Sequence, residues 1–295
     1  MRKRLVLLQF QLLKFRLDSG YIEAFGSQLV RATETHLQAL YAALIAPVRD
    51  RLRADHLVVV PHDILHTLPF HALLDGNGRF LIDDFTVSYA PSATVYRLCC
   101  QKRPAASGNA LIMGLPDHLA PCIADEVRAV SHILPNPRVF LDGEATTDQL
   151  RTLGPTSRFV HIATHGFFRR DNPMFSSIRL GNGPLCVYDL YELRLAADLV
   201  TLSGCSTGLN VVVGGDEILG LVRGVLYAGA RSVLLTLWDA HDRSTADFMQ
   251  AFYRRLEGGV SKARAAQAAM REVREQYRHP FYWAPFSLMG ESLSA

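Results

Sequence analysis

From residue 110 onward, short β-prone apolar runs alternate with longer segments whose apolar residues recur every three or four positions. Ala110–Leu115, Val139–Leu141, Phe159–Ala163, Leu199–Leu202 and Ser232–Trp238 read as strands. Asp125–Leu134, Ile218–Ala228, Thr245–Leu256 and Lys262–Tyr277 read as helices, and Thr146-x-x-Gln149 as the capping-box start of another. Strands that are apolar along their whole length need cover on both faces. The pattern therefore predicts an α/β fold, a mostly parallel sheet with helices on both sides.

The first third is less regular. Leu37, Leu40, Tyr41, Leu44, Ile45 and Val48 share one face of a helix predicted over 22–48, with Pro47 placed to end it. Leu57–Val60 and Phe85–Tyr89 are short strand candidates, and Pro91-Ser92 provides a helix start. Gln101–Asn109 is polar and contains Pro and Gly, so it marks an internal boundary. The expected organisation is an N-terminal helical and strand region, 1–104, followed by a core, 105–295.

At 295 residues and 49% hydrophobic composition the chain can bury a large core. Its 31 basic and 28 acidic residues nearly cancel, and the one tight basic cluster, Met1-Arg2-Lys3-Arg4, reads as a solvated terminus. Nucleic acid binding, which needs a dense basic patch, is not expected. Leu5–Leu8 after a basic start imitates a secretion signal, but Gln9, Gln11, Lys14 and Arg16 interrupt it and no small-residue cleavage site follows. No stretch approaches the roughly 18 apolar residues of a membrane span, so a soluble protein is expected. Five cysteines, with Cys99 and Cys100 adjacent, form no disulfide pattern, which points to the reducing cytoplasm. None has zinc spacing with histidine, so neither metal nor cofactor is expected.

Two strands break at a glycine beside a reactive side chain: Val160-His161-Ile162-Ala163-Thr164-His165-Gly166 and Leu199-Val200-Thr201-Leu202-Ser203-Gly204-Cys205-Ser206. Ligands bind at the carboxyl ends of strands in open α/β sheets. One strand would bring an imidazole there and the other a thiol, the components of a cysteine nucleophile with a histidine base. His165 lies at the strand end and is the candidate base, whereas His161 is mid-strand and reads as a buried core histidine. Cys205 is flanked by Gly204 and by small residues that admit a substrate backbone. Cys99, Cys100, Cys122 and Cys186 read as packing or surface residues, and His62, His66 and His71 as parts of a packed or surface loop.

A free thiol is only slightly ionised at neutral pH, so an imidazole can raise the thiolate fraction and later protonate the leaving amine. Backbone N–H groups of Gly166 and Cys205 are candidate donors to the oxyanion. Ser203 and Ser206 are weaker nucleophile candidates, because neither lies in a G-x-S-x-G elbow.

Ala163-Thr164-His165-Gly166 after one strand and Leu202-Ser203-Gly204-Cys205-Ser206-Thr207-Gly208 after the next resemble the CHAT family of caspase-like cysteine peptidases. Further landmarks follow in that family's order: Leu57–His62, Leu68–Leu73, Tyr89–Ala93, Gly214–Glu217 through Gly229-Ala230, and Leu237-Trp238-Asp239 with Asp242. The resemblance implies a caspase-type fold, peptide-bond hydrolysis in a protein substrate, and a His165–Cys205 dyad with Gly166 and the Cys205 N–H at the oxyanion. It also implies a substrate groove at Trp238–Arg243, where Asp239 or Asp242 would meet a basic side chain. Such modules usually follow helical repeats of the TPR type, and no repeat is visible here. The reading is therefore a peptidase part regulated by a partner protein or a TPR-type module. The alternatives are a silent scaffold or binding module, and a thiol hydrolase acting on a small substrate.

Overall fold

Apolar runs from the second half of the chain form the middle of one sheet, and those from the first half extend it. The computed structural model describes residues 1–16, 19–104, 108–118, 120–167, 169, 172–204 and 216–295. In chain order the strands are β1 (His56–Val59), β2 (Thr86–Tyr89), β3 (Ala110–Gly114), β4 (Pro137–Leu141), β5 (Phe159–Ala163), β6 (Gly166–Phe167), β7 (Ser177–Leu180), β8 (Gly183–Cys186), β9 (Leu199–Ser203), β10 (Ser232–Thr236) and β11 (Phe286–Gly290).

Eight of them form a sheet in the order β1-β2-β11-β10-β9-β5-β3-β4. Every neighbouring pair is parallel except β10 with β11. All residues of β3, β5, β9 and β10 are buried, as expected of parallel strands covered on both faces. The edge strands β1 and β4 are only partly covered. Because β2 pairs with β11, the 1–104 and 105–295 regions share one continuous sheet.

On one face the helices Ile123–Ile133, Asp242–Glu257 and Lys262–Gln276 pack together. Helices Ala93–Gln101 and Asp216–Tyr227 pack against β11 and β10, and the Lys102 ammonium joins them by donating to the Leu226 and Ala230 carbonyls. Helices Ala93–Gln101 and Thr147–Leu153 start with ordinary capping chemistry. Ser92 Oγ accepts the Val95 N–H at 3.1 Å, and Thr146 Oγ1 accepts the Gln149 N–H at 3.3 Å.

The N-terminal segment that imitates a signal is a helix, Arg2–Leu13, with Leu5, Leu8 and Leu12 buried against the helix Ser19–Leu44. That longer helix ends before Pro47, which lies in a short 3-10 turn over Ala46–Arg51. Leu37 and Leu40 of the predicted face are buried, while Val48 is exposed. No helix among the described residues is long and apolar enough to cross a membrane.

A buried ion network closes the edge where β10 begins. Lys262 Nζ lies 2.8 Å from both Asp198 Oδ1 and Glu291 Oε2, and Arg231 Nη1 lies 2.8 Å from Asp198 Oδ1. Burial alone would raise the Glu291 carboxyl, but the Lys262 charge and hydrogen bonds from Lys262 and Ser294 hold it down at about 2.

Candidate active site

The strands β3, β5, β9 and β10 are neighbours and run the same way, so their carboxyl ends share one rim of the sheet. Ala163 of β5 is in register with Ser203 of β9, and the Thr164 N–H donates to the Ser203 carbonyl at 2.8 Å. His165 and Cys205 each follow two residues after that rung. The approach of the two backbones there is unusually close. A Cβ built on Gly204 would lie 1.7 Å from the Thr164 carbonyl oxygen, so only glycine fits immediately before Cys205. This is a different reason for Gly204 from the substrate access read in the sequence. Cys205 itself, with Ser206 and the rest of 205–215, lies outside the described residues.

His165 is partly exposed, and its Nε2 lies 3.0 Å from Asp117 Oδ2, both side chains being 19% accessible. Asp117 stands on the loop after β3. The Leu115 N–H donates to the Ala163 carbonyl at 2.9 Å, and Asp117 Oδ1 accepts the Ala120 N–H at 3.2 Å. Arg179 reaches the same Asp117 oxygen at 3.3 Å and is largely exposed. Its backbone N–H donates to the His165 carbonyl at 2.9 Å, so β7 holds the histidine segment from the other side. Sequence reading missed Asp117. Its signal is the one that identified the other two ends: a β-prone run broken by a glycine, Gly114-Leu115-Pro116, with a reactive side chain next.

The remaining expected residues divide by position. Gly166 opens β6 and pairs with Ile178 in the small antiparallel sheet β6-β7-β8. Trp238 and Asp239 follow β10 and are buried, and the Trp238 indole Nε1–H donates to the Phe281 carbonyl at 3.1 Å. Asp242 begins the Asp242–Glu257 helix, and its Oδ2 accepts the Cys122 N–H at 2.7 Å.

Cys99, Cys100, Cys122 and Cys186 are free thiols. Burial and then the Asp242 carboxylate push the Cys122 thiol up to about 11, and burial raises Cys99 and Cys186. A raised thiol pKa makes a poor nucleophile at neutral pH. His71 is packed inside, with its ring nitrogens 2.8 Å from the Tyr89 hydroxyl and 3.1 Å from the Ala284 carbonyl, and burial lowers it to about 4. Among the described residues no group of three or more His, Cys, Asp or Glu side chains is placed to hold a metal ion.

A mostly parallel central sheet flanked by helices defines the caspase-like class of α/β fold. The chain belongs to the CHAT domain family, whose profile its residues 34–291 match. It is 27% identical over 326 aligned positions to tetratricopeptide repeat protein 28 of Mus musculus and 26% identical to that of Homo sapiens. Each match covers 87% of this chain and 13% of the relative. Among solved structures it is similar to separase in the Saccharomyces cerevisiae separase–securin complex, with TM-score 0.58 and 16% identity over 78% of this chain and 15% of that one. It is also similar to the Arg-specific cysteine proteinase gingipain R, with TM-score 0.60 and 10% identity over 90% of this chain and 68% of that one.

Proposed function

We propose that this chain is a cysteine endopeptidase in which His165 is the base and Cys205 the nucleophile. One observation carries the reading: Ala163 and Ser203 are register partners, Thr164 and Gly204 after them are in close backbone contact, and His165 and Cys205 come next in their two segments, with His165 beside Asp117. His165, held with its Nε2 3.0 Å from the Asp117 carboxylate, takes the Cys205 thiol proton. The thiolate attacks the scissile carbonyl carbon, and the N–H groups of Gly166 and Cys205 receive the oxyanion. His165 returns the proton to the leaving amine. Water then hydrolyses the thioester, again with His165 as base.

Trp238, Asp239 and Asp242 form the proposed substrate side of the groove, the loop after β10. Asp239 or Asp242 would attract a basic side chain, a preference matched by the Arg specificity named for gingipain R. A regulatory protein or a TPR-type module is the proposed controlling partner, in line with relatives named for tetratricopeptide repeats. The free thiols suit a reducing cytoplasm.

Replacing Cys205 with Ala is expected to abolish cleavage and labelling by thiol-directed peptide electrophiles. Cleavage that survives the replacement overturns the reading, and a wild-type chain that neither cleaves nor takes the label favours the silent scaffold.

A further inference from the structure

A chain of buried polar side chains lies beneath the candidate site, where β5 and β9 pack against two helices. Glu126 Oε1 is 3.0 Å from His161 Nε2. His161 Nδ1 is 3.2 Å from the Tyr253 hydroxyl, which is 2.7 Å from Thr201 Oγ1. His161, Tyr253 and Thr201 are fully buried and Glu126 is 2% exposed. Glu126 Oε1 and His161 Nε2 have no other hydrogen-bond partner among the described residues. Leaving either group alone in the core would be costly, so the contact holds its two elements together.

Those elements are the ones that deliver the site. His161 and Thr201 are register partners on β5 and β9, and each precedes a dyad residue by four positions, His165 in one strand and Cys205 in the other. Glu126 lies in the first turn of the Ile123–Ile133 helix, which follows the loop bearing Asp117. Tyr253 belongs to the Asp242–Glu257 helix, whose first residue holds the Cys122 N–H of that same loop. A packed apolar set would stabilise such a core at least as well, whereas polar pairing fixes one geometry among several.

We propose that Glu126, His161, Tyr253 and Thr201 are a positioning chain that fixes the rung behind His165 and Cys205 and so sets the reactivity of the thiol. This deepens the proposed function and rests on its dyad. None of the four touches substrate. They act by holding four elements in one arrangement, and reaction rates are sensitive to shifts of about an ångström.

The test is the rate of alkylation of Cys205 across pH, followed by peptide mass spectrometry, beside a thermal melt. The variants are Tyr253→Phe, the milder Thr201→Val, His165→Ala, and Leu37→Ala in the distant helix Ser19–Leu44, a fully buried truncation that lowers stability away from the site. Tyr253→Phe and Thr201→Val are expected to slow alkylation at neutral pH about tenfold, one hydrogen bond's worth, and to move the pH midpoint. Leu37→Ala is expected to melt earlier and to keep the wild-type profile. If both chain variants alkylate like wild type, or if Leu37→Ala slows as much as they do, the four residues are packing alone. If wild-type Cys205 reacts no faster than the exposed Cys100, and His165→Ala changes nothing, the dyad itself falls and the positioning role falls with it.

Discussion

Replacing Gly204 with Ala perturbs the contact that brings the two strand ends together. The new Cβ would sit 1.7 Å from the Thr164 carbonyl oxygen and 2.7 Å from its carbon. Both atoms are backbone, so no rotamer change relieves the clash. Side-chain carbons in folded proteins stay at least 3.0 Å from such atoms, so the two segments must part by 3.0 − 1.7 = 1.3 Å or more. Overpacking of this kind costs about 1–3 kcal/mol. Loss of the 2.8 Å bond from the Thr164 N–H to the Ser203 carbonyl adds about 1 kcal/mol. Urea unfolding should therefore show Gly204→Ala less stable by about 2–4 kcal/mol. The same displacement should slow turnover and Cys205 alkylation by up to about a hundredfold. A variant that unfolds and reacts like wild type would refute the close approach, and with it the juxtaposition of His165 and Cys205.

The remaining predictions concern single groups. Gly26, in the helix Ser19–Leu44, has nothing within 4 Å of a built Cβ, so Gly26→Ala should raise the unfolding free energy by about 0.5–1 kcal/mol. Asp117→Asn should lower kcat at least about tenfold with KM nearly unchanged, because it removes the charge beside His165 Nε2 and leaves the groove intact. A raised KM with kcat unchanged would place Asp117 in substrate binding instead. Glu291 is depressed from 4.5 to about 2, so its contribution is fully present above about pH 4.5 and is lost as pH falls through about 2. Glu291→Gln should cost at most about 3 kcal/mol at neutral pH and flatten the acid limb of the stability profile, as followed by thermal melts between those pH values.

The sheet's middle was legible in the sequence because covered parallel strands carry uninterrupted apolar runs. Phe159–Ala163 is found as read, and Leu199–Leu202 gains only Ser203. Ser232–Trp238 ends two residues early, at Thr236, because the Leu237 N–H turns to the Pro285 carbonyl. Strand Phe286–Gly290 and the small sheet β6-β7-β8 escaped notice. Their runs have at most five residues and are broken by Ser, Gly, Pro or Arg, so neither a period of two nor an apolar block stands out. His161 was recognisable as buried from its mid-strand position, but its partners Glu126 and Tyr253 are 35 and 92 residues away along the chain. Asp117 went unread for the same reason. Its contact with His165 joins two loops that only the β3–β5 pairing makes adjacent.

The central claim is that His165 and Cys205 cut peptide bonds together. The most direct measurement labels the new amino termini that appear when the protein is added to a cell lysate, with Cys205→Ala and His165→Ala as parallel samples. The account predicts discrete cleavage sites that appear with the wild-type chain and vanish in both variants. Identical termini in all three samples would contradict it.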